Sequence, residues 1–276
     1  MIDRITYSKM KPYSTFKYWF TVNPGTNTIN VFDKSTKTII GSDIGDYTSE
    51  YTEFTHRPEF GLYDPIDVDC KSNEELIDLY ETLLLASTMV IAEAGGVNPD
   101  KAINPIFNCL DWLRTTDFYV CPSTTKYHDN CYGGLLRHTL KVASQCLKLY
   151  NSESFKDKVD MARAIRASLL HEWGKIGSYE CYTKNVKDSN SGEWDKVDAY
   201  RYKENRMICL GEGTSSIYLA GKFFKLSYEE ALAIRWYKGE YDVSGSALYE
   251  LNQACRMYPI VYLLQFADRL ACVEYE

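Results

Sequence analysis

Residues 133–150, GGLLRHTLKVASQCLKLY, decide the fold. Two glycines precede a run whose apolar residues recur at helical spacing: Leu135, Leu136, Leu140, Val142, Ala143, Cys146, Leu147 and Tyr150. This period predicts an amphipathic helix over 134–150 with one broad face in a core. His138 comes three residues after Leu135 and four before Val142, so the imidazole is predicted to lie on that apolar face.

The same kind of period continues on both sides of this helix. Together with capping and glycine signals it predicts further helices over about 73–94, 105–113, 160–172, 214–224, 227–237 and 256–274. Residues 185–202 are polar and carry a turn signal at Ser191-Gly192, which predicts a β-hairpin. Residues 66–276 are therefore predicted to form a mainly α domain with a small inserted β-hairpin.

The N-terminal part of the chain has a different pattern. Residues 17–40 contain β-branched and aromatic runs separated by Asn23-Pro24-Gly25 and Asp33-Lys34-Ser35, which predicts a short meander of strands. Residues 41–65 are polar and tyrosine-rich without a period, so we predict a loop there. About 60 residues make a marginal independent domain, so we expect the β-rich segment 1–65 to pack on the main domain.

Composition restricts the class of protein. Lys plus Arg number 31 and Asp plus Glu number 38, for a net charge of −7, which does not favour a nucleic-acid-binding surface, although a local basic patch remains compatible with it. The most apolar run, 83–92, is about half the ~20 residues that a membrane-spanning helix needs. The 9 cysteines are widely spaced without a C-x-x-C pair, which favours a reducing cytoplasm over a disulfide framework.

Four polar residues interrupt otherwise apolar helix faces: His138, His171, Glu172 and Asp268. A carboxylate on an apolar face costs free energy unless it is paired or binds a cation. Two imidazoles and two carboxylates that converge in a helical core suit a divalent metal ion. Taken one at a time, each has another interpretation: a hydrogen-bonded core histidine, a Glu172 that is solvated or paired with Lys175, or an Asp268 paired with Arg269 or a distant arginine.

The order of these residues adds a family resemblance. The elements Gly133-Gly134-Leu135-x-x-His138, His171-Glu172-x-Gly174-Lys175 and Ala267-Asp268 resemble the HD-domain superfamily of metal-dependent phosphohydrolases. The similarity is greatest to HD-domain proteins of Gram-positive bacteria and their phages, which also have the hairpin and counterparts of LGEGTSS from 210 and EEALAIRWYKG from 229. The resemblance covers about 127–272 and implies an HD-domain-like helical bundle.

The resemblance also implies a ligand set, with three departures from the family pattern. It assigns one divalent metal ion (manganese, iron, cobalt, nickel, zinc or magnesium) to His138, His171, Glu172 and Asp268. Glu172 replaces the aspartate of the family's His-Asp pair. Glu212 and Tyr237 stand where binuclear members have histidines that hold a second metal, so a single metal is expected.

Roles beyond metal ligation follow from charge and from the resemblance. Lys175 is predicted to neutralise substrate phosphate and so to be catalytic as well as substrate-binding, or else to be an ordinary lysine near a helix end. Glu212 is predicted to act as general base, or else to be a solvated turn residue. His128 and Tyr237 complete the predicted substrate-binding set, with an exposed loop histidine as the other interpretation of His128.

We interpret the chain as a cytoplasmic metal-dependent phosphohydrolase with a nucleotide or other phosphate ester as substrate. A cyclic nucleotide or a nucleic acid is also compatible, but the acidic charge favours a small nucleotide, and no membrane partner is expected. The alternative is a degenerate HD domain that binds a nucleotide or a protein partner without turnover.

Overall fold

The computed structural model describes residues 18–23, 28–33, 39–44, 66–69, 71–97, 99–187, 193–206 and 210–273. This part of the chain is mainly helical, with one antiparallel two-stranded hairpin and a separate N-terminal sheet, which confirms the predicted mainly α class. The helices are α1 (Asn73–Ala94), α2 (Pro99–Arg114), α3 (Gly134–Tyr150), α4 (Met161–Leu170), α5 (Glu212–Ala220), α6 (Tyr228–Arg235), α7 (Ser246–Met257) and α8 (Pro259–Val273).

Helix α3 lies at the centre of the bundle and has the bounds that its sequence predicts. It packs against α4 on one side and α8 on another, while α1 packs against α2 and α4. The predicted apolar residues of α3 are buried from Leu135 to Leu147. The helix therefore carries His138, which is 0% exposed, into the core.

A buried hydrogen-bonded chain connects α1 to the segment that follows α4. The Trp173 indole N–H donates to the Tyr80 hydroxyl at 2.9 Å, and that hydroxyl donates to the carbonyl of Leu169 at 2.9 Å. Trp173 and Tyr80 are both fully buried. Because Trp173 directly follows His171-Glu172, these bonds fix the backbone that presents the two predicted ligands.

Several predicted helix bounds are wrong, and one helix, α7, was not predicted. The helix predicted over 256–274 is α8, which starts three residues later at Pro259, because Tyr258 leaves helical geometry with φ −132° and ψ 98°. A residue before proline is driven from helical geometry, whereas Pro259 suits the first turn of the next helix. Other bounds also shift: α2 starts at Pro99 rather than 105, α4 ends at Leu170, and α5 spans Glu212–Ala220.

Part of the polar side of α3 is buried, whereas an amphipathic period predicts a solvated face there. Ser144 Oγ donates to the carbonyl of Ile66 at 2.8 Å, and Lys141 Nζ donates to Asp129 Oδ1 at 2.7 Å. Residues 66–69 and the loop before α3 thus cover this side, which the helical period alone does not reveal. These hydrogen bonds offset the free-energy cost of burying the polar groups.

The inserted hairpin pairs β4 (Tyr179–Lys187) with β5 (Trp194–Tyr202), so it starts earlier than the predicted 185. Its predicted turn, Ser191-Gly192, lies outside the described residues. Tyr179 is buried at the base of β4, and the strand is exposed beyond Glu180. A short helical turn, Trp173–Lys175, precedes the hairpin.

The N-terminal strands are β1 (Tyr18–Asn23), β2 (Thr28–Asp33) and β3 (Ile39–Ile44), antiparallel in the order β1-β2-β3. This is the predicted meander, except that the third strand extends into 41–44, which was predicted as loop. The two turn signals and residues 45–65 lie outside the described residues. The boundary at 65 and the packing of this segment on the helices stay predictions.

Among the helices of the described ranges, none combines the length and the apolar character that crossing a bilayer requires.

Removing one partner of the buried ion pair between α4 and α6 should destabilise the fold strongly. Arg166 Nε and Nη2 donate to the two carboxylate oxygens of Glu230 at 2.7 and 2.9 Å, and both side chains are buried. Arg166→Ala leaves the Glu230 carboxylate buried and uncompensated, so we expect a loss of about 3–5 kcal/mol in the free energy of unfolding, measured by urea denaturation.

Arg163 on the same helix provides the control. Its side chain is 29% exposed and pairs with Asp160 at 3.1 Å, so Arg163→Ala should cost about 1 kcal/mol or less. Equal losses in the two variants would contradict the interpretation of the buried pair.

Candidate metal site

Three separate parts of the fold bring the predicted ligand set together. His138 lies in the second turn of α3, His171 and Glu172 directly follow α4, and Asp268 lies on α8. Asp268 Oδ1 is 3.2 Å from His138 Nε2 and 3.4 Å from His171 Nε2. Glu172 Oε2 is 3.8 Å from His138 Nε2, so each residue offers one donor atom and all four atoms lie within 4.8 Å of one another.

The end of α4 aims the His171 ring at this cluster. The ring Nδ1 is 2.6 Å from the carbonyl of Ser168, so it carries the proton and donates. The lone pair is therefore on Nε2, which is buried and has no hydrogen-bond partner among the described residues. A bond from the other ring nitrogen to a backbone carbonyl is the usual way in which a metal-ligating histidine is oriented.

Helix α5 supports the same backbone. Ser216 Oγ accepts from the Gly174 N–H at 2.8 Å and donates to the carbonyl of His171 at 2.6 Å. A Cβ at position 174 would collide with the carbonyl of Glu212, so a glycine is needed where the two segments meet. The Gly174 of the motif thus lets α5 approach the ligands.

Opposite charges in the cluster compensate for burial. Burial alone would raise the pKa of Glu172, but Lys175 and the two imidazoles outweigh it and lower that pKa to about 2. Burial likewise acts to raise the pKa of Asp268, but the hydrogen bond with His138 and the nearby His171 ring hold it below its usual value. Burial would lower the pKa of His138, yet the two carboxylates hold it above its usual value.

The donor set fits a divalent cation. Two imidazole nitrogens and two carboxylate oxygens match ions such as manganese, iron, cobalt, nickel or zinc. The buried lone pair of His171 Nε2, directed at the other donors, is the feature of this site that an ion would satisfy. The group can therefore hold a metal ion, and its identity is left open by the ligands.

Lys175 lies beside the candidate ligands, and its ammonium group is paired with protein groups instead of being free to bind a phosphate. It is 6% exposed, forms an ion pair with Glu172 Oε1, and donates to the carbonyl of Ser123 at 2.9 Å. Ser123 Oγ in turn donates to Glu172 Oε2 at 3.1 Å. Lys175 and Ser123 thus hold the glutamate; the catalytic and substrate-binding roles of Lys175 stay predictions.

Glu212 and Tyr237, the two other departures from the family pattern, are hydrogen-bonded to one another. The Tyr237 hydroxyl donates to Glu212 Oε2 at 3.2 Å, and Lys238 Nζ donates to the same oxygen at 2.6 Å. The Tyr237 ring packs edge-on against the His171 ring, with centroids 4.7 Å apart. The Glu212 carboxylate is therefore fixed next to the ligand cluster. Tyr237 is 2% exposed, and its contact with substrate stays a prediction.

His128 lies on another side of the cluster. Its Nε2 is 3.4 Å from Cys272 Sγ, and its ring centroid is 4.8 Å from that of His138. His128, His138 and Cys272 form a second group whose donor atoms could hold a metal. The phosphate contact of His128 stays a prediction.

Sequence reasoning missed Ser123, Asp129 and Cys272 at this site. Ser123 and Asp129 belong to an irregular loop with no period, and Asp129 adopts a left-handed φ of 49°. Cys272 follows Asp268 by one helical turn on α8, so a search for donors at that spacing would have found it.

None of the protein-family models, curated proteins or solved structures compared with this chain matches it.

The ligand set can be tested with two histidine variants. Purified protein exposed to Mn²⁺ should hold about one ion per chain by inductively coupled plasma mass spectrometry, and His171→Ala should abolish this binding because it removes the oriented Nε2 donor. His128→Ala is the matched control and should retain the ion. Loss of the ion in His128→Ala but not in His171→Ala would transfer the site to the His128–Cys272 group.

Proposed function

We propose that the chain is a variant HD-type phosphohydrolase with a single divalent metal, acting on a nucleotide or another phosphate ester. The observation that carries the proposal is the buried convergence of His138, His171, Glu172 and Asp268, in which the His171 lone pair faces the other donors. The motif order on the sequence supports the family assignment, as does the mainly helical bundle with its hairpin.

A bound divalent ion with open coordination positions supplies a polarised phosphoryl oxygen and a water of lowered pKa. The protein's own residues prepare the site for it. His171 is oriented by the Ser168 carbonyl, and Glu172 is held between Lys175 and Ser123. This support keeps the donors in place before substrate arrives, which reduces the reorganisation needed during the reaction.

Glu212 is the proposed proton acceptor for the attacking water. Tyr237 and Lys238 both donate to Oε2, which fixes the carboxylate in one orientation beside the His171 ring. A base must be held within hydrogen-bond reach of the proton that it takes, and this pair of bonds restricts Glu212 to one position. Lys238, which is partly exposed, is the cation best placed to meet a substrate oxygen next to Glu212.

The substrate class follows from chemistry and charge. The site combines a cation-binding group with basic residues, an arrangement suited to a phosphate oxygen. The acidic chain favours a small phosphate ester over a long nucleic acid, since phosphate contacts along a nucleic acid require a basic surface. Nucleotides and cyclic nucleotides are therefore the first candidates, in line with the predicted cytoplasmic location.

Turnover of simple esters tests the proposal. Mn²⁺-loaded protein should hydrolyse bis(p-nitrophenyl) phosphate, p-nitrophenyl phosphate or a member of a nucleotide panel, and Asp268→Ala should reduce the rate to background. Glu212→Gln keeps the size of the side chain but removes the base, so we expect kcat to fall by about 10²–10⁴-fold while the bound metal is retained.

The partly exposed Arg163→Ala variant is the control for purification and assay conditions and should retain full activity. Activity that persists in Asp268→Ala would indicate a contaminating enzyme. A metal-loaded protein that turns over no ester in the panel would contradict the proposed reaction.

One observation favours a second candidate, a degenerate domain that binds a nucleotide or a protein partner without turnover. The ion pair between Lys175 and Glu172 and the contacts of both imidazoles with Asp268 compensate the buried charges with protein groups alone. Calorimetric titration with nucleotides separates the two candidates. Binding that needs no divalent ion and yields no product would favour the degenerate domain.

A further inference from the structure

On the side of His138 that faces away from Asp268, two buried polar atoms have no hydrogen-bond partner within the part of the chain that the structure describes. His138 Nδ1 is 3.8 Å from Asp129 Oδ2, and the two side chains are 1% and 5% exposed. Among the described residues, neither atom has a hydrogen-bond partner. Leaving a buried polar group without a hydrogen bond costs free energy. The lack of a bond at these two neighbouring atoms therefore requires an explanation.

The surrounding structure holds the Asp129 carboxylate in place. Its other oxygen, Oδ1, accepts from Lys141 Nζ at 2.7 Å, and its backbone carbonyl accepts from the Ser123 N–H at 3.0 Å. Asp129 has a left-handed φ of 49°, which a non-glycine residue adopts only when its surroundings enforce it. A Cβ at Gly134 would collide with the Asp129 carbonyl, so that glycine permits the close approach of α3.

Which ring nitrogen of the neutral His138 imidazole carries the proton depends on whether Nε2 binds a cation. When Nε2 gives its lone pair to a cation, the ring proton of the neutral imidazole must be on Nδ1. That N–H then points to Asp129 Oδ2, and a small rotation closes 3.8 Å to the roughly 2.8 Å of a charge-assisted hydrogen bond. Both atoms without partners are satisfied at once in this state.

We propose that Asp129 is the positioning residue of the metal site: it accepts the Nδ1–H of His138 when Nε2 binds the metal, with Lys141 securing its other oxygen. The inference rests on the metal site of the proposed function and is independent of turnover. Asp129 acts on the cation only through His138. Hydrogen bonding of a ligand histidine to a carboxylate raises the basicity of the ligand and fixes its ring.

Only a carboxylate fits between these two neighbours. The His138 Nδ1–H and the Lys141 ammonium are both donors, so the group between them must accept on both sides. In Asp129→Asn, whichever way the amide turns, its NH₂ faces one of the two donors. The isosteric variant thus disrupts one bond while it preserves shape.

Metal affinity and NMR test the proposal. Asp129→Asn should weaken Zn²⁺ binding by about 10–100-fold in competition with a chromophoric chelator, while the metal-free variant keeps its melting temperature within a few degrees of wild type. In Zn²⁺-loaded wild type, His138 should give a slowly exchanging imidazole N–H signal, and Asp129→Asn should lose this signal.

A second substitution distinguishes positioning from a general structural role. Replacing Lys141 by Met in the Asp129→Asn background removes the competing donor, so the amide oxygen can turn to His138 and most of the lost Zn²⁺ affinity should return. A merely structural Asp129 predicts further loss in this double variant, because Lys141 is buried.

The outcomes separate this inference from the proposed function. Tight Zn²⁺ binding that is unchanged in Asp129→Asn would overturn the inference and leave the metal site standing. Weakened binding without rescue by Lys141→Met would also overturn it. Failure of the wild-type protein to bind Zn²⁺ or Mn²⁺ would overturn the metal site itself, and the inference with it.

Discussion

Charge compensation within one buried cluster is the constraint on which the rest of this structure depends. Asp268 on α8 contacts an imidazole from α3 and another from the end of α4, so a single carboxylate joins three parts of the bundle. A buried charge without such partners would cost several kcal/mol. The helices must therefore meet with the spacing that the cluster requires, and Lys175 balances the second carboxylate, Glu172, in the same core.

Much of the fold follows from local sequence signals, and the departures have local causes. The glycine pair and apolar period of 133–150 predict α3 correctly, and the capping boxes at Ser72 and Ser227 are present. The start of α8 was signalled by Pro259 but was predicted three residues too early, and α7 was not predicted. The burial of Ser144 could not be predicted, because the segment that covers it is distant in sequence.

The candidate site, like the fold, was predicted only in part from the sequence. The four candidate ligands were predicted because each interrupts an apolar helical pattern, and their order along the chain then grouped them. Ser123 and Asp129 act through an irregular loop whose conformation depends on contacts with α3, so no period marks them. Glu212 and Tyr237 were recognised as departures from a family pattern, but their mutual hydrogen bond and the part played by Lys238 required three-dimensional placement.

The Ser216 hydroxyl joins the Gly174 N–H to the carbonyl of His171, and this link restricts how the site can change in evolution. The start of α5 supplies Glu212, so the residue proposed to accept a proton and the ligand backbone belong to one mechanical unit. A substitution that shifts the start of α5 would also shift the backbone at His171. Sequence changes in the two segments are therefore expected to occur together. An engineer who grafts this residue cluster onto another scaffold would need to transplant the start of α5 along with the segment that carries His171 and Glu172.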